Sequence, residues 1–166
     1  IPIGQTPLGN GNEALVYSIP AIYRASDTNG DGKADTRKKI YGGFGNTDTH
    51  GMVNSLTRWI DGWIYGCHGL SNRSKIRDAR GNVTTLKSGN TYRFRADGSR
   101  FEQMTWGQVN PFGLTFDPAG NLYSADCHSK PLYLLLRGAK YPHFGDKPDG
   151  LGFGPTIMAH QHGSTG

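Results

Sequence analysis

Nine residues near the start of the chain combine oxygen-bearing side chains and glycines at the spacing of a calcium-binding loop. Residues 27–35 read Asp-Thr-Asn-Gly-Asp-Gly-Lys-Ala-Asp. Side chains at loop positions 1, 3, 5 and 9 can supply oxygen ligands, and position 7 can add its main-chain carbonyl. The sequence therefore predicts a metal site formed by Asp27, Asn29, Asp31, Lys33 and Asp35.

The same loop departs from an EF-hand at its end. Position 12 is Lys38, so the bidentate glutamate is missing, and no long amphipathic helix flanks the run. We therefore expect a free-standing loop whose calcium ion has a structural role. The alternative is a polar hairpin turn in which the Asp and Asn side chains bond only to their own main chain.

Three histidines stand at comparable places relative to the predicted strands. His50 precedes one strand, whereas His68 and His128 each follow a strand that contains an aliphatic residue and a tyrosine. Neutral imidazole serves as a general base or a metal ligand near neutral pH. We expect the three rings to face one pocket together with Arg73 and Asp126. A metal-dependent hydrolase would need all three in one coordination sphere.

The elements that must position these residues are strands. Helical periodicity is nearly absent, and short apolar or alternating runs are separated by Asp-Gly, Gly-Asn and Asn-Pro, which is typical of an all-β protein with tight hairpins. The predicted strands are residues 14–18, 21–25, 38–42, 53–59, 62–67, 90–95, 100–105, 112–116, 121–125 and 131–136.

Two patterns repeat along the chain. Residues 55–66 and 113–124 share an apolar strand, a turn that ends in glycine, and a second strand with an aliphatic residue, tyrosine and a small residue. A shorter pattern centred on tyrosine recurs at residues 21–24, 90–93 and 131–134. Repeats of roughly 40 to 50 residues with four strands each are typical of propeller blades, because one small sheet cannot bury both faces alone.

The predicted fold class is therefore all-β, a β-propeller of four-stranded blades of which this chain holds about three. Closed propellers have about four to eight blades. We expect residues 1–166 to be part of a single propeller domain in a longer protein. A β-sandwich and an open β-solenoid are the alternatives.

Composition excludes several classes of function. The net charge of +5 is scattered and no nucleic-acid motif is present, which predicts a solvated surface without a nucleic-acid partner. No apolar run is long enough for a transmembrane segment. The two cysteines, Cys67 and Cys127, lack metal-finger spacing and the Cys-x-x-Cys-His haem motif, and they form either one bridge or two free thiols.

Several motifs together resemble one bacterial family. They are residues 27–35, Gly43-Phe44-Gly45, Asp48-Thr49-His50, residues 61–66, residues 110–113, residues 124–131 and Tyr141-Pro142. The chain resembles the PVC-type membrane-bound dehydrogenase family of haem-binding proteins. Its propeller is similar to the soluble PQQ-dependent glucose and sorbosone dehydrogenases.

This resemblance implies an exported protein, periplasmic or at the cell surface, that oxidises a sugar or alcohol. A PQQ cofactor would take a hydride from the substrate, His50 would be the base, and His68, Arg73, Asp126 and His128 would line the cofactor pocket. Electrons would pass to a cytochrome c partner or module, with haem c only outside this chain. The alternative is a non-catalytic propeller that binds a glycan or a protein partner.

Overall fold

The computed structural model describes residues 4–9 and 11–158, so part of the predicted domain 1–166 lies outside the described residues. The described part contains fourteen β-strands and no helix. Three antiparallel sheets have four strands each, and a fourth sheet is a two-stranded hairpin. Among the described residues, therefore, no helix is long and apolar enough to cross a membrane.

The first sheet is a meander in which each strand pairs with the next. Its strands are β1 (Gly4–Leu8), β2 (Glu13–Ser18), β3 (Ala21–Ser26) and β4 (Thr36–Gly42). The predicted metal loop, residues 27–35, connects β3 to β4. The loop is therefore a hairpin connection within this sheet, at a distance in sequence from the histidines.

The second sheet follows the same order but carries an insertion. Its strands are β5 (Asn54–Arg58), β6 (Ile64–His68), β9 (Asn90–Phe94) and β10 (Phe101–Gln103). Between β6 and β9 the chain forms the separate hairpin of β7 (Arg73–Arg77) and β8 (Val83–Lys87). The buried residues Ile76 and Leu86 fix this hairpin against the core that lies between the first and second sheets.

The third sheet is again a sequential meander. Its strands are β11 (Pro111–Phe116), β12 (Leu122–Asp126), β13 (Leu132–Leu135) and β14 (Thr156–Met158). Gly62 and Gly120 end the first turn of the second and third sheets, with φ of 76° and 88°, which favours glycine at both places. The repeat seen in the sequence is therefore a repeat of the structure.

Two cores separate the three large sheets, and β6 shows how. Ile64 packs with Tyr41 and other residues of the core between the first and second sheets. Its neighbours Trp63 and Tyr65 point the other way and pack with Leu122 of the third sheet. Successive side chains of a strand alternate between faces, so the second sheet is covered on both sides and β6 is buried throughout.

The first strands of the sheets lie side by side, since β5 packs against both β1 and β11. Each of these is an edge strand of its own sheet. Inner strands that line up around an axis are the arrangement of propeller blades, in contrast to the two-layer stack of a β-sandwich. The predicted fold class is confirmed, with three four-stranded blades in the described part.

Candidate functional site

Polar side chains collect at one end of the second and third sheets, which we call the loop face. This is the end at which β5, β9 and β11 begin and β6 and β12 finish, since His68 pairs with Asn90 and Pro111 with Asp126. His68 and Asp126 are the last residues of β6 and β12, and the loops before β5 and after β12 bring His50 and His128 to the same end.

His50 is the most accessible of the predicted site residues. Its side chain is 91% exposed, and its ring Nδ1 lies 3.2 Å from Oδ1 of Asp48. The same carboxylate oxygen accepts the main-chain N–H of His50 at 2.9 Å. The carboxylate therefore orients the ring, and Nε2 is the nitrogen left to act on another molecule.

Two buried asparagines hold the loop that carries His50. Asn72 donates from Nδ2 to the carbonyl oxygens of Asp48 and Gly51, both at 2.8 Å, and accepts the Asp48 main-chain N–H. Asn110 accepts the main-chain N–H of Leu70 and donates weakly, at 3.4 Å, to the His50 carbonyl oxygen. The position of the imidazole is therefore tied to the start of β11 and to the segment after β6.

Asp126 is occupied by the protein itself. Its carboxylate accepts the main-chain N–H groups of Val109 and Asn110, both at 2.8 Å, and the hydroxyl of Ser129 at 2.7 Å. The main-chain N–H of His128 makes a longer bond of 3.4 Å to the same group. Asp126 thus fixes the two loops of the third sheet to one another.

His68 is also bonded internally. The ring is fully buried, with Nδ1 at 2.7 Å from the carbonyl oxygen of Ser88 and Nε2 at 2.7 Å from the hydroxyl of Ser74. Burial lowers the pKa of this imidazole below its usual value, and the bond to Ser88 opposes the shift. Both ring nitrogens are in use, so His68 has none to offer a cofactor.

Arg73 and His128 lie apart from this internal network. Arg73 opens strand β7 and is exposed. His128 is half-buried beside a groove of about 290 Å³ that it shares with His143 and Phe144. Among the described residues, no hydrogen bond or ion pair joins Arg73 or His128 to His50, and no group of His, Cys, Asp or Glu side chains is placed to hold a metal ion.

The predicted cofactor residues can be tested for their fit to PQQ, a planar quinone that carries carboxylates. Such a ligand needs free donors and cations that converge on one space. Two of the four predicted residues, His68 and Asp126, have their polar atoms engaged within the protein. The four do not form a PQQ site in this structure, and no reaction step is assigned through that group.

In the loop at residues 27–35, side-chain oxygens accept the loop's own main-chain N–H groups. Asp27 accepts N–H bonds from Gly30 at 2.6 Å and Gly32 at 2.8 Å, and Asp35 accepts bonds from Thr28. Asn29 accepts the Asp31 N–H, and Asp31 accepts that of Lys33. A carboxylate oxygen that accepts one N–H keeps a second lone pair, but Asp27, Asp31 and Asp35 do not form a group placed to hold a metal ion in the described part of the chain. The bonds seen are those of the plain turn, and the calcium ion stays a prediction.

Sequence reasoning missed His143 and Trp106. His143 donates from Nδ1 to the carbonyl oxygen of Gln108 at 2.7 Å, and its Nε2 lies 3.4 Å from the hydroxyl of Ser88. Gln108 and Ser88 have φ of 65° and 57°, which is uncommon for residues with a side chain. Nothing in the sequence signals these dihedral angles, although Tyr141 and Pro142 next to His143 were part of the family resemblance.

The cysteines can be assigned directly. Both are free thiols, with Cys67 buried in β6 and Cys127 exposed after β12. The bridge that the sequence left open is not formed. The Cys127 sulfur lies 3.7 Å from Nδ2 of Asn110, at the edge of the internal network.

Comparison with solved structures finds distant similarity. The PQQ-bound form of an aldose sugar dehydrogenase from Streptomyces coelicolor aligns over 95% of this chain and 67% of its own, with 16% identity and a TM-score of 0.43. A luciferin-regenerating enzyme aligns over 79% of this chain and 57% of its own, with 12% identity and a TM-score of 0.37. These values are too low to support any inference about activity.

Sequence comparison gives a firmer assignment. No curated protein matches the chain. The family model described as "Domain of unknown function (DUF7133)" matches residues 1–147, and the chain therefore belongs to that family.

Proposed function

We propose that the chain is the propeller portion of an exported sugar or alcohol dehydrogenase of the PQQ-dependent type, with His50 as the catalytic base. The observation that carries this proposal is the pairing of an exposed imidazole with an orienting carboxylate, Asp48. A base of this kind must reach the substrate hydroxyl and be held in one tautomer. The exposure of the His50 ring and its contact with Asp48 support this assignment.

The pairing defines what His50 would do. With its proton on Nδ1, directed at Asp48, the ring presents the Nε2 lone pair to a substrate hydroxyl and can take its proton. The Asp48 carboxylate would stabilise the imidazolium that forms. The proposal requires further blades to enclose the substrate, because the imidazole is 91% exposed in the described structure.

Other parts of the proposal rest on the resemblance of motifs. They are membership of the PVC-type membrane-bound dehydrogenase family, a PQQ cofactor, a cytochrome c electron acceptor, and a periplasmic or cell-surface location. A structural calcium ion in the loop at residues 27–35 belongs with them. Since His68 and Asp126 are engaged internally, Arg73 and His128 are the predicted cofactor residues that the proposal retains.

The experiment is reconstitution of the full-length protein with PQQ and calcium, followed by dye reduction with aldoses and alcohols. The proposal expects substrate-dependent reduction that is lost in His50→Gln and retained in Thr49→Ala, an exposed change in the same loop. Absence of reduction with every substrate, or full activity of His50→Gln, would contradict it.

A second candidate is a non-catalytic propeller that binds a glycan or a protein. The internal bonding of His68 and Asp126 favours it, because two of the residues predicted to serve a cofactor serve the fold instead. The same experiment distinguishes the dehydrogenase from the binding propeller, because a binding propeller gives no dye reduction but still binds its ligand.

A further inference from the structure

A groove of about 380 Å³ lies between the end of the β7–β8 hairpin, the outer strands of the second sheet and the segment after β13. Its volume falls within the range of roughly 300 to 1,000 Å³ that is typical of small-molecule sites. The side chains that matter for its chemistry are Lys87, Gln103, Trp106, Lys140, His143 and Asp146. They combine one large aromatic ring with several hydrogen-bonding and charged groups.

Trp106 is the aromatic wall of the groove, and its main chain is fixed on both sides. The indole is 45% exposed, while the main-chain N–H bonds to the Ala139 carbonyl at 3.0 Å and the carbonyl accepts from Tyr141 at 2.7 Å. The next residue, Gly107, has φ of 80°, and a Cβ there would lie 1.8 Å from the Tyr141 carbonyl oxygen. An exposed indole on a fixed backbone offers a contact surface at low entropic cost.

His143 supplies a preset polar atom at the groove. Because Nδ1 donates to the Gln108 carbonyl, Nε2 is the acceptor. Its contact with the Ser88 hydroxyl is 3.4 Å long, in contrast to the 2.7 Å bonds of His68, so a ligand hydroxyl can replace it. Both contact residues have positive φ without being glycine. Backbone strain of this kind persists where the surroundings impose it, and it concentrates at functional sites.

The charges of the groove do not balance. Lys140 pairs with Asp146 at 3.4 Å and also donates to the Lys147 carbonyl at 2.9 Å. Lys87 is exposed and has no carboxylate within ion-pair distance among the residues that the structure describes. The groove therefore presents one cation that an incoming anion can neutralise.

We propose that this groove binds one unit of an acidic saccharide, a uronic acid residue. The apolar face of the sugar ring packs on Trp106, its hydroxyl groups bond to Gln103 and His143, and its carboxylate pairs with Lys87. A flat aromatic wall with hydrogen-bonding groups around it suits a pyranose, whose faces are apolar and whose edge is polar. The site rests on neither His50 nor a redox cofactor, so it stands whether or not the protein is a dehydrogenase.

Calorimetric titration of the full-length protein with trigalacturonate tests this site, with maltotriose and citrate as comparison ligands. Trp106→Ala and Lys87→Ala each weaken trigalacturonate binding about tenfold or more, whereas Lys87→Ala leaves weak maltotriose binding unchanged. The matched controls are Phe112→Ala, whose ring is 66% exposed outside the groove, and Lys75→Ala, an exposed lysine on β7. Both controls retain wild-type affinity.

Each remaining outcome overturns the proposal. If trigalacturonate does not bind, or binds all variants equally, the groove is not the site. If maltotriose binds as tightly as trigalacturonate, the acidic preference is wrong. If citrate binds as tightly and Trp106→Ala has no effect, the groove is an anion site rather than a saccharide site. Thermal unfolding of each variant, expected within about 2 °C of wild type for these surface changes, separates lost binding from lost folding.

Discussion

Asp48 and His50 are joined through a single carboxylate oxygen, which contacts both the main-chain N–H and the ring Nδ1 of the histidine. The two distances are 2.9 and 3.2 Å. Because the ring is almost fully exposed, packing does little to orient it and the carboxylate is the main constraint. The function proposed for His50 therefore depends on a residue only two positions earlier in the chain.

This dependence predicts different effects for changes at the two residues. In the reconstituted full-length protein, His50→Gln lowers kcat by about 10²- to 10⁴-fold, the range of general-base catalysis. Asp48→Asn keeps an oxygen for the main-chain N–H but weakens the hold on the imidazolium, so kcat falls by a smaller factor while KM changes little. Steady-state kinetics measure both effects, and an unchanged kcat for Asp48→Asn would remove its positioning role.

We expect calcium to raise the thermal stability of the protein by binding to the loop at residues 27–35. With Kd in the range of about 10⁻⁴ to 10⁻³ M for an exposed, incompletely liganded loop, 10 mM calcium adds roughly 1.4–2.7 kcal/mol, or roughly 3–10 °C in Tm. Differential scanning calorimetry with calcium and with chelator measures the shift, and Asp31→Ala abolishes it.

The control for the calcium prediction is another turn of the same kind. Asp117 accepts N–H bonds from Asn121 in the β11–β12 turn without other carboxylates in its loop. Asp117→Asn should leave the calcium-dependent shift intact. A calcium response that is equal in Asp31→Ala and wild type would identify residues 27–35 as a polar turn only.

Most of the fold could be predicted from the sequence because the strand pattern repeats. All ten predicted strands exist, and the tyrosine motif falls on the third strand of each large sheet, with Tyr23 in β3, Tyr92 in β9 and Tyr133 in β13. Glycine turns and alternating apolar residues are patterns of a few neighbouring residues, so they can be recognised in the sequence without knowledge of the fold.

Four strands, β1, β7, β8 and β14, were not predicted, and three of them lack such signals. Strand β1 contains a glycine and a proline, which weaken a strand prediction although an edge strand tolerates proline. Strand β7 reads Arg-Ser-Lys-Ile-Arg, in which charged residues on the exposed face hide the buried Ser74 and Ile76. Strand β14 has only three residues, all exposed. Strand β14 pairs with β13 across a long connection, whereas β1 and β7 each pair with the strand that follows them.

The site was less predictable than the fold. The Asp48–His50 pair is local and could be suspected from its spacing, whereas the burial of His68 depends on Ser74 and Ser88, which the inserted hairpin brings to it. His143 belongs to no repeat, and its two partners reach it only through the folded loops. Chemistry made by long-range contacts leaves little trace in a single sequence.

The buried ring of His68 predicts a pH-dependent stability. Its folded-state pKa is lowered by burial, so the unfolded state binds the proton more readily. The neutral, buried ring contributes fully to the free energy of unfolding above about pH 6.5, the ordinary histidine pKa. This contribution is lost as the pH falls from there through the lowered pKa of the folded state. Thermal unfolding from pH 8 to 4.5 should show a falling Tm that is flatter in His68→Gln. Parallel curves would exclude this histidine as the cause.

We expect the substitution Tyr92→Phe to stabilise the protein, because it removes a buried hydroxyl. Tyr92 is fully buried, and its Oη has no hydrogen-bond partner among the described residues. Tyr92→Phe removes an unsatisfied polar atom and keeps the ring, so the free energy of unfolding rises by about 1 kcal/mol. Tyr133→Phe is the matched control, because its hydroxyl bonds to Ser129 and Lys130. Tyr133→Phe should lower the free energy of unfolding by about 1 kcal/mol. Equal changes in the two variants, measured by urea unfolding, would contradict the assignment of an unpaired hydroxyl to Tyr92.

We expect Glu102 to stabilise the contact between the second and third blades. Its carboxylate bonds to Arg93 at 2.6 Å within the second sheet and to Arg137, after β13 of the third sheet, at 3.2 Å. Arg93 is only 14% exposed and stacks with its guanidinium carbon 4.3 Å from the centre of the Trp63 ring. Glu102→Gln leaves this half-buried cation without its anion, and the free energy of unfolding falls by about 1–3 kcal/mol.

Urea unfolding with a second ion pair as control tests this contribution. Glu13→Gln breaks the pair with Arg24, whose side chain is 37% exposed, so the loss should be smaller and should shrink further in 1 M salt. The Glu102→Gln loss should persist in salt, because the Arg93–Trp63 contact keeps that cation away from solvent. If both variants lose the same stability and respond equally to salt, Glu102 is an ordinary surface partner and adds nothing specific to the contact between the two blades.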